Sequence, residues 1–250
     1  MTAPSVESMD VTRVAPSGEP VDLSLPAALG GYRWYGNTRF VGPRVARQFF
    51  LAPAGEHRAI PNNILRGARE SRRTFRGYDA VVFEAPDRSD AALVLAGPYH
   101  EATTWFGGPA PDAEGLSRLV NTFSFVDSPS GATLRPASDL LVQQPDVTLI
   151  GRSAGSILMV RRSAEALPTL PDWAGLPLPG GELWRGERVL DPAQAALVEG
   201  TPHQWRYLLA GESAVMDLVL LGPESGRPAT PLGEEQIVAA LAALGARWGG

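Results

Sequence analysis

The sequence predicts an α+β fold made of two tandem pseudo-repeats, each an antiparallel, curled β-sheet with a covering helix. Three observations carry this prediction. The run Leu93-Val94-Leu95-Ala96-Gly97-Pro98 returns as Leu218-Val219-Leu220-Leu221-Gly222-Pro223. Each run closes a pair of apolar stretches around a short polar turn, the signature of a hairpin. Each Gly-Pro is then followed by a loop and a stretch with apolar residues at helical spacing. Self-similarity on this scale governs architecture, so it is weighed before any local element.

In chain order, residues 1–20 carry Glu7 and Asp10 and lack both a basic start and an apolar core. They read as a polar N-terminal arm, not a signal peptide. Residues 21–135 are the first repeat and 136–250 the second, with Pro, Ser and Gly gathered at 128–144 between them. Trp34–Pro43 reads as a strand, a tight Gly turn and a second strand stopped by Pro, and Trp184–Pro192 as its counterpart. Trp34 and Trp184 are expected as core anchors. The hairpins are Ala80–Pro86 with Ala91–Gly97, and Trp205–Ala210 with Ala214–Gly222. Leu116, Leu119, Val120 and Phe123 make one helical stripe behind an Asp112 N-cap. Ile237, Leu241 and Leu244 repeat it, with Thr230 as N-cap, Pro231 at the first helical position and Gly245 at the end.

The 250 residues include no Cys, and all 22 basic residues are Arg. Without Cys there are no thiol nucleophiles, disulfides, iron–sulfur clusters or Cys-based zinc sites. Without Lys there is no Schiff-base chemistry and no P-loop or kinase lysine. An Arg-only, Ala/Gly/Pro-rich composition matches the coding bias of a GC-rich bacterial genome. His57, His100 and His203 lack neighbours at metal-ligand spacing, so no metal or other cofactor is expected. The net charge of −5 argues against nucleic acid and anionic membrane as partners of the whole surface. No apolar run reaches the roughly 18–20 residues of a membrane span, and a cytoplasmic location is expected.

The two copies differ in one place. The first carries an insertion, residues 44–77, with eight Arg against Glu56 and Glu70. Its net charge is +6, which leaves −11 on the remainder. Pro61, Ile64, Leu65, Ala68 and Gly77 suggest a helix over 61–75. On that helix Arg66, Arg69, Arg73 and Arg76 would fall at spacings of three, four and three, forming one stripe. Three occupants suit such a stripe: the chain's own acidic surface, an acidic partner or second subunit, or phosphate.

Gly151-Arg152-Ser153-Ala154-Gly155 fits the G-x-S-x-G pattern of serine hydrolases. Val147–Ile150 precedes it as a candidate strand, and His203 and Asp191 lie downstream in the required order. The following run Ser156–Arg162 suits a second strand better than a helix, which makes Ser153 a hairpin-turn residue. The sequence therefore favours a non-enzymatic adaptor or assembly protein that meets an acidic partner, or another subunit, through Arg66, Arg69, Arg73 and Arg76. A serine hydrolase using Ser153, His203 and Asp191 is the first alternative. A structural subunit of a larger particle is the second.

Overall fold

Short β-branched and aromatic runs punctuated by Gly and Pro leave little chain for helices, and strands dominate. The computed structural model describes residues 7–43, 46–137, 144, 146–228 and 233–249. Arg44, Thr230 and Pro231 lie outside the described residues. In chain order come β1 (Ser8–Val14), β2 (Pro20–Pro26), β3 (Arg33–Val41), β4 (Ala46–Pro53), β5 (Arg69–Phe75) and β6 (Tyr78–Glu84). β7 (Ala91–Ala96), β8 (His100–Phe106), α1 (Ala113–Asn121), β9 (Phe123–Ser128) and β10 (Gly131–Pro136) follow. Next are β11 (Thr148–Arg152), β12 (Ser156–Arg162), α2 (Ser163–Ala166), β13 (Leu176–Leu178) and β14 (Gly181–Glu187). The last are α3 (Pro192–Val198), β15 (Trp205–Ala210), β16 (Ala214–Leu220), α4 (Glu234–Ala243) and β17 (Gly245–Trp248).

The fold is mixed α+β, as expected, but its division is different. One unit comprises residues 14–19 and 34–149, and the other comprises residues 1–13, 20–33 and 150–250. Within the expected polar arm, Ser8–Val14 form a strand, β1, in a three-stranded sheet of order β1-β2-β17. Among the described residues the expected curling is absent, and no sheet closes on itself. Both repeated hairpins form, as β6–β7 and β15–β16. The correspondence then stops, because α1 leads into the β9–β10 hairpin whereas α4 leads into β17.

In the 34–149 unit the strand order is β3-β4-β8-β7-β6-β5, with antiparallel pairing from β3 through to β5. One face packs Phe40, Phe49, Leu51, Val82, Leu93 and Leu95 against Val120 of α1 and Phe123, Phe125 and Leu134 of β9–β10. Phe49 meets Phe123 edge-on at 4.8 Å between ring centroids. On the other face Ile60 covers Val81, Phe83, Ala92 and Val94. Burial on both faces explains why β6 and β7 read as nearly unbroken apolar runs. Each fully buried Phe contributes about 1.5–3 kcal/mol of transfer free energy. β3 runs straight through Gly36, where a turn was expected; a side chain there would collide with the Pro16 ring, 2.7 Å from an added Cβ. Phe123 starts β9 and does not extend α1.

In the other unit a sheet of order β13-β14-β15-β16-β12-β11 carries Trp184, buried among Ala166, Leu208 and Val215. Its indole N–H donates to the Trp173 carbonyl at 2.7 Å. Trp184 is thus the core anchor expected, while Trp34 is only partly buried. Pro192 opens α3 and does not terminate a strand. Ile237, Ala240 and Leu241 form the buried face of α4, which packs against β2.

Candidate functional site

The Arg-rich segment does not form the expected helix. Its helical structure is a 3₁₀ turn, Glu56–Ala59, followed by one π-helical turn, Ile60–Ile64, closed by Leu65 N–H donating to the Ile60 carbonyl at 2.8 Å. The chain then extends as β5 and reverses at Arg76-Gly77. Both turn residues have positive φ, 49° and 86°, the backbone that a two-residue hairpin requires. Phe75 therefore faces Tyr78, and Arg69 faces Glu84.

Strand periodicity of two re-sorts the cations. Arg69, Ser71, Arg73 and Phe75 share one face with Ala80, Val82 and Glu84 of β6, and Leu93 of β7 lies opposite Val82. Leu116 and Val120 of α1 stand over that face. The helix is started by Asp112, whose carboxylate accepts from the Gly115 N–H at 2.8 Å. Between strands and helix lies a cavity of about 550 Å³. Phe75, Val82, Leu93, Leu116 and Val120 give it apolar walls, and Arg69, Arg73 and Arg88 stand at its polar margin.

These cations are not equivalent. Arg88 is paired with Glu84 at 2.6 Å. Arg72, on the opposite face of β5, bridges Glu70 at 3.2 Å and Asp79 at 3.3 Å. Arg76, in the turn, donates to Asn121 Oδ1 at 2.9 Å and lies 5.2 Å from the Phe75 ring centroid. Arg47 donates to the Trp105 carbonyl at 3.0 Å and covers Phe106. Arg69 and Arg73 are exposed and make no hydrogen bond or ion pair with any described residue. Arg66, in the turn before β5, makes none either. Of the four residues expected on one stripe, Arg69 and Arg73 share a face, Arg66 precedes the strand, and Arg76 is tied to α1. Pairing with the chain's own Asp and Glu side chains thus engages none of these four among the described residues; Arg76 is held by the neutral Asn121 amide. Two guanidiniums beside an apolar cavity can each hold a carboxylate by a pair of parallel hydrogen bonds.

The serine motif has a different fate. Ser153 lies in the turn between β11 and β12, as the sequence favoured, and is only 8% exposed. Its hydroxyl donates to the Leu29 carbonyl at 3.0 Å and accepts from the N–H groups of Gly155 and Ser156 at 3.2 and 2.9 Å. Ser156 Oγ lies 2.9 Å away and also contacts the Tyr32 hydroxyl. None of these partners is His203 or Asp191. His203 is buried in a 3₁₀ turn, Pro202–Gln204, so close to Gly222 that a side chain there would strike its ring. Asp191 caps α3 in a reciprocal box with Gln194. The Ser153 proton is committed to a carbonyl, which is a structural use of the hydroxyl. Ser153→Ala is expected to lower stability by about 1–3 kcal/mol, since it orphans buried polar groups, and urea denaturation measures that loss.

Sequence spacing missed two His–carboxylate pairs, because 44 and 27 residues separate the partners. His57 Nδ1 lies 2.6 Å from Glu101 Oε2, and His100 Nδ1 lies 2.8 Å from Asp127 Oδ1. Among the described residues no group of three His, Asp or Glu side chains is placed to hold a metal ion. No helix among them is long and apolar enough to cross a membrane. Comparison with protein families, with curated proteins and with solved structures finds no match.

Proposed function

We propose that this chain is a non-enzymatic binding protein, an adaptor or assembly factor, that engages an acidic partner protein through the Arg69/Arg73 face of β5. One observation carries the reading: two exposed cations, without partners among the described residues, share a strand face at the margin of an apolar cavity. Solvated guanidiniums steer an acidic surface into place, and the cavity accommodates an apolar anchor that slows dissociation. Arg66 extends the cationic surface, while Arg76 supports it from the turn. The segregation of charge, +6 in residues 44–77 against −11 elsewhere, favours an acidic partner over a neutral one.

Selection of a displayed random-peptide library on the immobilised full chain tests this. Acidic peptides are expected to be enriched, and to bind more weakly as salt rises from about 0.05 to about 0.3 M and shortens the Debye length. The double variant Arg69→Glu/Arg73→Glu should lose about tenfold or more in affinity with an unchanged melting temperature, because both side chains are exposed. Enrichment without acidic bias, or full affinity in the double variant, would falsify the reading.

A further inference from the structure

Among the described residues β5 ends the strand order of its sheet, so one side of its backbone has no strand beside it. The Arg76-Gly77 turn decides which groups lie on that side. In a two-residue hairpin the flanking pair, Phe75 and Tyr78, exchanges both backbone hydrogen bonds, and the pattern alternates from there. Arg73, Ser71 and Arg69 thus bond inward to β6. The N–H and C=O groups of Thr74, Arg72 and Glu70 point outward, where they are open to a further strand.

We infer that β5 receives an extended acidic segment of a partner protein as an added antiparallel strand, with acidic residues two positions to either side of an apolar one. The inference rests on the acidic-partner reading above and supplies its geometry. Side chains on one face of a strand recur every second residue, so a segment laid along β5 sets three of them opposite Arg69, Ser71 and Arg73. The outer two meet Arg69 and Arg73, which have no partner among the described residues and whose backbone positions lie about 13 Å apart, four residues at about 3.3 Å each. The central one meets the small Ser71, on the face where the apolar cavity opens.

The other face sets the intervening positions. They lie opposite Glu70 and Arg72, and Arg72 is already engaged by Glu70 and Asp79. An acidic residue there meets a like charge or an occupied cation, so the charge pattern specifies register as well as sign. The same Arg residues repel a second copy of β5, which keeps the open edge from pairing with itself.

The probe is the fluorescein-labelled peptide Ser-Thr-Asp-Thr-Leu-Thr-Asp-Thr-Ser, capped at both ends and titrated with the full chain by fluorescence anisotropy. Moving both Asp next to the Leu preserves composition and is expected to weaken binding about tenfold. Methylating the backbone nitrogens of the two Thr beside the Leu removes edge hydrogen bonds and is also expected to cost about tenfold. Bound peptide should slow amide exchange at Glu70, Arg72 and Thr74. Equal binding of parent and methylated peptides without such protection overturns strand addition and leaves the acidic-partner reading standing. Failure of the parent peptide, while the library yields other acidic binders, overturns it as well. If the library yields no acidic binders, the partner reading itself fails.

Discussion

Glu101→Ala is expected to cost about 3–5 kcal/mol, because it strips the acceptor from several buried donors at once. Glu101 lies on β8 and is 1% exposed. Its carboxylate accepts from the Gly55 N–H at 2.8 Å and the His57 N–H at 2.5 Å, and it lies 2.6 Å from His57 Nδ1. These contacts pin the start of the segment that carries Ile60 onto Val81, Phe83, Ala92 and Val94 and then feeds β5. Without them the buried amide and imidazole nitrogen of His57 and the partly buried Gly55 amide lose their acceptor, and the segment has reason to lift away. Urea denaturation measures the global loss. Amide exchange should also quicken over residues 55–65 more than over β9–β10. Glu101→Gln keeps one acceptor oxygen and should fall between wild type and Ala. A loss in the Ala variant below about 1 kcal/mol would show that solvent replaces the carboxylate at little cost.

The second large effect is in the other unit. Arg188 Nη1 donates toward the carbonyls of His203 and Leu220, at 2.6 and 3.1 Å, and toward Glu224 Oε1 at 2.8 Å. Burial by itself would raise the Glu224 carboxyl. The hydrogen bond and charge of Arg188, with the backbone N–H groups of Glu224 and Gly222, outweigh burial and hold it below its ordinary value of 4.5. A carboxyl lowered in the folded state contributes stability above its unfolded pKa and loses that contribution as pH falls through the folded pKa. Arg188→Met leaves the carboxylate buried without its cation, so a loss of about 3–5 kcal/mol is expected at neutral pH. Burial then dominates and the sign inverts: the variant gains on wild type as the carboxyl takes up a proton. The gap between their unfolding free energies should therefore narrow from pH 7 towards about pH 4. Adding Glu224→Gln to Arg188→Met should recover part of the loss, since no charge is left buried. A gap constant with pH would mean that Glu224 stays ionised in the variant.

Which of these features the sequence discloses depends on the range of the interaction. The β6–β7 and β15–β16 hairpins are legible because each is a local alternation around a polar turn. Asp112 is legible as a cap because its bond to Gly115 spans three residues. The turn at Ser153 follows from the apolar run after it. The Arg-rich segment is misread because Arg at three- and four-residue spacing mimics a helical face, and charge alone has no period. The stronger signal is Arg76-Gly77 set two residues wide between Phe75 and Tyr78, which predicts a hairpin and hence a strand before it. The cavity has no sequence signature at all. Its walls come from three strands and a helix, and its free cations are defined by which neighbours they lack.

The pairing of β2 with β17 bears on how the molecule is made. Val21 faces Trp248 in this pairing, and the Asp22–Arg247 ion pair joins residues 225 apart in sequence. A ribosome adding about 5–20 residues per second needs about 10–45 s to travel between them. Throughout that interval β2 has emerged while the strand that completes its sheet does not yet exist. Residues 34–149 wait less, because the most distant pairing within their sheet, β4 with β8, joins Phe50 to Thr103, 53 residues apart. During synthesis β5 and the strands it joins are therefore made before β17 completes the three-stranded sheet.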